Sequence, residues 1–199
     1  YPLWTAATTL AGGKAVHYTC DEENNWAPDV EDIRSKVTAR TKAIVIINPN
    51  NPTGAVYTRQ TLEAIVDIAR EHSLLLLSDE IYDRILYTDE GRESFLSLSE
   101  PEDLLIVLNG FSKTYCMTGW RVGYLIADPR IARKMAQMQE FVTSHAPSMA
   151  QVAAVTALRE GEPFVAKSLA RYRGLRDLAM EELRQVEGEP VAQPDGAFY

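Results

Sequence analysis

The sequence predicts an α/β fold, in which a mostly parallel sheet carries helices on its faces. Three short apolar runs, residues 43–47, 74–77 and 104–109, have the length and composition of strands that are buried on both faces. These runs alternate with segments that have a helical pattern or with short helical connections. The carboxyl ends of parallel strands form one edge of a sheet, and ligands bind at that edge. We therefore expect a site among the side chains that follow the runs.

The residues before the first run predict small elements. Residues 3–10 can form a helix, which Gly12 and Gly13 end, and residues 15–18 suit a short strand. Residues 21–43 are acidic and then mixed in charge. They predict an exposed connection that contains one short helix.

The segment between the first two runs predicts an amphipathic helix. Thr58 is a good N-cap, because its hydroxyl can accept a hydrogen bond from the first turn. Leu62, Ile65, Val66 and Ala69 then recur at the spacing of one helix face. We expect this face to pack on the sheet.

The last third of the sequence is predominantly helical. Apolar residues recur at helical spacing in three segments, residues 131–142, 149–158 and 165–186, and the third would be a long helix. We interpret the methionines and aromatic residues of these segments as core. A break at residues 187–190 precedes residues 194–199, which we expect to enter a second, smaller domain.

Composition excludes several classes of protein. The chain has 199 residues and a formal net charge of −8, so neither nucleic acid nor an anionic membrane surface is an expected partner. No apolar run approaches the roughly 20 residues that cross a bilayer. Two cysteines without a C-x-x-C motif fit a reducing compartment, and we predict a cytoplasmic protein. The three histidines lack metal-ligand spacing, so no metal is predicted.

Lys113 is the residue that most directly suggests chemistry. It lies on a turn just after the third run, and burial there would lower the pKa of its ammonium and make it a usable nucleophile. Arg121, eight residues later, offers a guanidinium suited to phosphate, and Ser112 adds a hydroxyl. Together they indicate a phosphorylated aldehyde cofactor held as a Schiff base, which is pyridoxal phosphate chemistry. The alternative is a surface lysine and arginine after a strand.

Polar side chains also follow the first two runs. The turn N-P-N-N-P-T-G at residues 48–54 presents Asn51 at the end of the first run. Asp79 follows the second run within two residues, and a carboxylate there needs a partner, for which a protonated pyridine nitrogen is suitable. The alternatives are an asparagine that caps its own turn and an aspartate that caps a helix.

These motifs resemble a known family. S-K-x(7)-R-x-G within residues 111–124 resembles the pyridoxal-phosphate-dependent aminotransferases of fold type I, class I/II. D-E-x-Y at residues 79–82 resembles a second signature of that family, and residues 1–18 resemble the matching part of bacterial alanine aminotransferases. The resemblance implies the three-layer α/β/α large domain of these transferases, truncated here, with residues 122–127 as one antiparallel strand.

The resemblance also implies roles for single residues. Lys113 would be the lysine that forms the Schiff base, and Ser112 and Arg121 would bind the cofactor phosphate. Asp79 would face the pyridine nitrogen, and Tyr82 would donate a hydrogen bond to the phenolic oxygen. Lys113, Asp79 and Tyr82 are thus the predicted catalytic residues.

Two further positions complete the predicted site. Asn51 would hydrogen-bond the phenolic oxygen and help to hold the substrate carboxylate. Tyr1 is the candidate for stacking on the pyridine ring. Trp4 is the second candidate for that stacking, although we interpret Trp4 as a core residue.

The function that the resemblance implies is amino-group transfer between an L-amino acid, with alanine and glutamate favoured, and a 2-oxo acid, by a homodimer. Residues 1–160 would form part of the cofactor-binding domain, and residues 161–199 would lead into a largely missing small domain. The chain would be an internal fragment, with the substrate-binding arginine beyond Tyr199. A β-lyase or an aminocyclopropane-carboxylate synthase of the same fold remains an alternative, as does a catalytically incomplete fragment.

Overall fold

A computed structural model describes residues 2–89, 93–100, 103–186 and 191–199; the break predicted at residues 187–190 lies outside them. The elements are helix α1 (Pro2–Leu10), strands β1 (Cys20–Asp21) and β2 (Ala27–Pro28), helix α2 (Val30–Lys36), strand β3 (Ala43–Ile47), helix α3 (Arg59–Glu71), strands β4 (Leu75–Asp79), β5 (Leu105–Gly110) and β6 (Gly123–Ala127), and helices α4 (Pro129–Val142), α5 (Ser148–Glu160) and α6 (Glu162–Leu183).

The main sheet has the strand order β3-β4-β5-β6. The first three strands are parallel, and β6 runs antiparallel to β5. The register sets Ile47 beside Asp79 and Asp79 beside Leu108, so the ends of the three parallel strands lie at one edge. The prediction of a mostly parallel sheet with one antiparallel strand is confirmed.

Helix α3 covers one face of this sheet. It begins after Thr58, whose side chain accepts a hydrogen bond from Thr61 N, as the sequence predicts. Full burial of each aliphatic side chain in this core is worth about 1.5–3 kcal/mol. The core between the sheet, α2 and α3 includes Ile33, Ile44, Ile46, Leu62, Ile65, Ile68, Leu76 and Val107.

The expectation that the strands are buried on both faces is wrong for β3 and β4 in the part of the chain that the structure describes. Their side chains alternate between buried and half-buried, because α2 and α3 pack on one face only. Val45, Ile47 and Leu77 of the other face line a large open groove that also borders α1 and α6.

Two local predictions need correction. Residues 15–18 do not form a strand; the pair at this point is β1 with β2, and the Tyr18 hydroxyl instead donates to the Val45 carbonyl at 3.1 Å. The second run extends as a strand to Asp79, so this aspartate ends β4 rather than following it. Ladder bonds to both neighbouring strands continue that far.

The predicted core of the C-terminal helices is also largely wrong. Helix α4 buries none of its residues, and α5 buries only Ala150 and Ala154. Their larger apolar side chains are exposed because no described element covers that face. Among the methionines and aromatic residues predicted as core in these two helices, the most exposed are Phe141, Met149 and Met138.

Candidate active site

Asp79 ends β4 with its carboxylate turned toward helix α1. Trp4 Nε1 donates to Asp79 Oδ2 at 3.2 Å, and the Ile81 amide donates to Oδ1 at 3.4 Å. Burial raises the pKa of the Asp79 carboxyl, and the two hydrogen bonds offset part of that rise. The alternative of a helix N-cap is excluded, because a turn rather than a helix follows.

Two further carboxylates fix the turn after Asp79. Glu80 is only 5% exposed and accepts from Ser78 Oγ at 2.8 Å and from the Phe95 amide at 3.1 Å. Asp83 accepts from Asn109 Nδ2 at 2.9 Å. Burial raises the pKa of both carboxyls. These contacts tie the turn to neighbouring segments and so hold Asp79 in place.

The side chains of Tyr82 and Asn51 both lie within hydrogen-bond distance of the Tyr199 hydroxyl. Tyr82 is 1% exposed, and its hydroxyl lies 2.8 Å from the Tyr199 hydroxyl. Asn51 Nδ2 donates to the same Tyr199 oxygen at 3.0 Å. The structure therefore brings together two residues that the sequence places on different turns.

Lys113 lies beside this group of residues. Its Nζ is 5.5 Å from the centre of the Tyr82 ring and 5.2 Å from the centre of the Phe198 ring. Such distances allow a cation–π attraction. Within the described ranges no carboxylate forms an ion pair with Lys113.

Ser112 and Arg121 are linked through one threonine. Thr118 Oγ1 donates to the Ser112 carbonyl at 3.0 Å, and Arg121 Nη1 donates to the Thr118 carbonyl at 2.8 Å. Arg121 is exposed in a left-handed conformation with φ of 52°, and its guanidinium has no carboxylate partner in the described part of the chain.

The structure adds three residues that the sequence reasoning missed. The sequence predicts Trp4 as core, but it is half-buried and hydrogen-bonded to Asp79. The sequence places Phe198 and Tyr199 at the entry to a separate domain, yet they pack around Tyr82. Tyr1 lies outside the described residues.

The residues present fit pyridoxal phosphate. The buried carboxylate of Asp79 lacks a cation, and the amine of Lys113 and the guanidinium of Arg121 lack carboxylates, among the residues described. A ligand with a ring cation, an aldehyde and a phosphate supplies the missing partner for each. No group of three or more possible ligands that could hold a metal ion occurs in the described ranges.

Comparison with known proteins places the chain in a family. The model for aminotransferase class I and II matches residues 1–199. Glutamate-pyruvate aminotransferase AlaA of Escherichia coli is 44% identical over 207 residues, which cover 100% of this chain and 51% of that protein. The chain spans about half the length of the curated relatives it matches.

Solved structures give the same result. Alanine aminotransferase from Pyrococcus furiosus matches with a TM-score of 0.91 and 39% identity over 99% of this chain and 51% of that one. Aromatic aminotransferase from Pyrococcus horikoshii matches with a TM-score of 0.94 and 36% identity over 99% and 53%. The chain belongs to the class I and II aminotransferases, which are fold type I enzymes dependent on pyridoxal 5'-phosphate.

Proposed function

We propose that this chain supplies the cofactor-binding and catalytic part of an aminotransferase that moves an amino group between an L-amino acid and a 2-oxo acid. One observation carries the proposal. The Lys113 amine lies 5.5 Å from the centre of the Tyr82 ring. Tyr82 follows Asp79 by three residues, and Asp79 lies at the edge of the sheet where the parallel strands end. Neither charged group has an oppositely charged partner among the described residues.

The proposed division of work follows from the chemistry of each side chain. Lys113 would hold the cofactor aldehyde, and Asp79 would keep the ring nitrogen cationic. Ser112 and Arg121 would hold the phosphate. Asn51 and Tyr82 would donate to the phenolic oxygen, and Asn51 would also help to hold the substrate carboxylate. When bound, the cofactor supplies an electron-accepting ring.

Lys113 would also move the proton at the reacting centre. Its Nζ would act as the base that removes the proton from the substrate Cα. Lys113 is half-buried, and its Nζ lies near the Tyr82 and Phe198 rings, whose faces attract a cation. A positioned base of this kind contributes about 10²–10⁴-fold to the rate.

The substrate pair is proposed from the names of relatives. Alanine, glutamate and their oxo acids are favoured, because the Escherichia coli and Pyrococcus furiosus proteins carry those names. We further propose a cytoplasmic homodimer that acts in amino-acid biosynthesis. The structure contains no helix, in the part it describes, that is long and apolar enough to cross a membrane.

The domain division is likewise a proposal. Residues 1–160 would form part of the cofactor-binding domain, and residues 161–199 would lead toward a second domain through α6. Support comes from the 22-residue length of α6. Residues 195–199 nevertheless return to the first part, since the Ala197 amide donates to the Ile85 carbonyl.

Cofactor titration tests the proposed function. The protein mixed with pyridoxal phosphate should develop a visible absorbance band, and borohydride should fix the cofactor to the peptide that contains Lys113, as mass spectrometry will show. Lys113→Ala should lose the band and at least about 10³-fold of any transfer activity. Lys134→Ala, on the exposed face of α4, is the control that should retain both. A wild-type protein without the band contradicts the proposal.

A panel of amino acids distinguishes the reaction types. Oxo-acid product in stoichiometric balance with a newly formed amino acid indicates transfer. Release of ammonia with an unsaturated product indicates a β-lyase instead. Cofactor binding without either reaction indicates a catalytically incomplete chain.

A further inference from the structure

Tyr199 lies between two of the predicted cofactor-binding side chains. Its hydroxyl accepts from Asn51 Nδ2 at 3.0 Å and is 2.8 Å from the hydroxyl oxygen of Tyr82. The rings of Tyr82 and Tyr199 meet edge to face, with 5.7 Å between centroids. Because the three residues are far apart in the sequence, the fold alone creates this network.

The backbone that carries Tyr199 is firmly attached to the rest of the site. The Ala197 amide donates to the Ile85 carbonyl at 2.9 Å, and the Gly196 amide donates to the Gly54 carbonyl at 2.8 Å. Ala197 is fully buried. A Cβ on Gly54, where φ is +69°, would come within 2.9 Å of the Gly196 oxygen, so this approach requires glycine.

We propose that Tyr199 is a positioning residue for the phenolic-oxygen end of the cofactor site, and that it acts by holding the Asn51 amide and the Tyr82 hydroxyl in one hydrogen-bond network. This inference rests on the proposed function. It adds a residue to which neither the family motifs nor the sequence pattern assigns a role in the site.

Asn51, Tyr82 and Tyr199 have enough N–H and O–H donors for Tyr199 to keep its hydrogen bonds when the cofactor binds. The Asn51 amide has two N–H groups, so one can donate to Tyr199 and the other to the phenolic oxygen. Tyr199 accepts from Asn51 and can donate its own proton to the Tyr82 oxygen. The Tyr82 O–H can then be directed at the phenolic oxygen, and a hydrogen-bond chain of this kind strengthens its terminal donor.

The opposite role would be that of a plug. Tyr199 would then occupy the place of the cofactor's own phenol and would have to leave before the cofactor enters. The buried Ala197 and the backbone bonds of residues 195–197 hold the main chain, so only the Tyr199 side chain would have to move. The two roles predict opposite effects of removing the hydroxyl, so one substitution separates them.

The test compares Tyr199→Phe with Tyr87→Phe. The Tyr87 hydroxyl donates to the Ala197 carbonyl at 2.6 Å, so its loss weakens the attachment of the same segment without removing a bond to Asn51 or Tyr82. Tyr199→Phe should raise the dissociation constant of pyridoxal phosphate about fivefold, as expected for one hydrogen bond. Tyr87→Phe should leave that constant close to the wild-type value.

A second readout is the pH at the midpoint of the bound cofactor's visible absorbance change. Weaker donation to the phenolic oxygen leaves more negative charge there, which holds a proton on the adjacent nitrogen to higher pH. The midpoint should therefore move up by about 0.5 unit in Tyr199→Phe. It should not move in Tyr87→Phe.

A double-mutant cycle completes the test. In an Asn51→Ala background, Tyr199→Phe should have a smaller effect, because the network is already broken. Equal or tighter cofactor binding by Tyr199→Phe overturns the inference, as does an equal loss in both tyrosine variants or full additivity with Asn51→Ala. Wild-type protein that binds no cofactor removes the proposed function, and this inference with it.

Discussion

The two turns at the strand-end edge carry opposite charges and are held in different ways. The turn at the end of β4, which comprises Asp79 and residues 80–83, is acidic, and each of its carboxylates already has hydrogen-bond donors from the protein. The turn after β5, residues 111–121, is basic. Its Lys113 amine lies near the Tyr82 and Phe198 rings, and its Arg121 donates to a backbone carbonyl.

This difference shows how the site is prepared for a ligand. The acidic turn is expensive to bury, so the protein supplies donors that keep it in one conformation. The basic turn keeps its cationic groups available for an anion and an aldehyde. We therefore expect substitutions in the acidic turn to change reactivity and stability. Substitutions in the basic turn, apart from those of Lys113, should change mainly cofactor retention.

After Lys113→Ala, the largest effect is expected at Asp79. Asp79→Asn removes the carboxylate that would keep the cofactor ring cationic, and transfer activity should fall by about 100-fold or more. The same change should stabilise the fold at neutral pH. The folded pKa of this carboxyl is raised by burial, so its ionisation opposes folding, and that penalty is present above the folded pKa and absent at low pH.

The measurements are steady-state kinetics and urea unfolding at acidic and neutral pH. Asp83→Asn is the matched control, because burial also raises the pKa of that carboxyl while it contacts Asn109. It should share the gain in stability and retain activity within a few-fold. Equal losses of activity in both variants would contradict the proposal that Asp79 keeps the cofactor ring cationic.

An intermediate effect is expected at Arg121. Arg121→Ala should raise the dissociation constant of pyridoxal phosphate about tenfold or more, because a charge-assisted bond to phosphate is lost. Equilibrium dialysis will measure it, and inorganic phosphate should compete less well with the cofactor in the variant. Arg130→Ala, which loses an ion pair with Asp128 on the surface, should not change the constant. An unchanged dissociation constant in Arg121→Ala would contradict the proposal that Arg121 binds the cofactor phosphate.

The smallest effect is expected at Trp4. Trp4→Phe keeps an aromatic ring but removes the donor to Asp79, at a cost of about 1 kcal/mol in the free energy of unfolding. Because that donor lowers the pKa of the Asp79 carboxyl, its loss should move the acidic limb of the pH–activity profile to higher pH. A pH–rate profile that is unchanged would argue that Trp4 only anchors α1.

Helices α3 and α4 show why part of the fold could not be predicted. Both segments have an amphipathic pattern and similar length, but α3 buries five residues on the sheet and α4 buries none. Periodicity identifies a face that can be buried, and it contains no information on which element covers that face. Because periodicity does not identify the covering element, the prediction that Met138 belongs to the core is wrong.

The sequence alone determined the local order of the site. Apolar runs followed by Asn51, Asp79 and Lys113 predict three strand ends and the charged groups beyond them, because the length and composition of each run are local properties. The tertiary structure decided which distant side chains contact these site residues. Trp4 meets Asp79 across 75 residues and Tyr199 meets Asn51 across 148, and only the packing of distant segments can set such contacts.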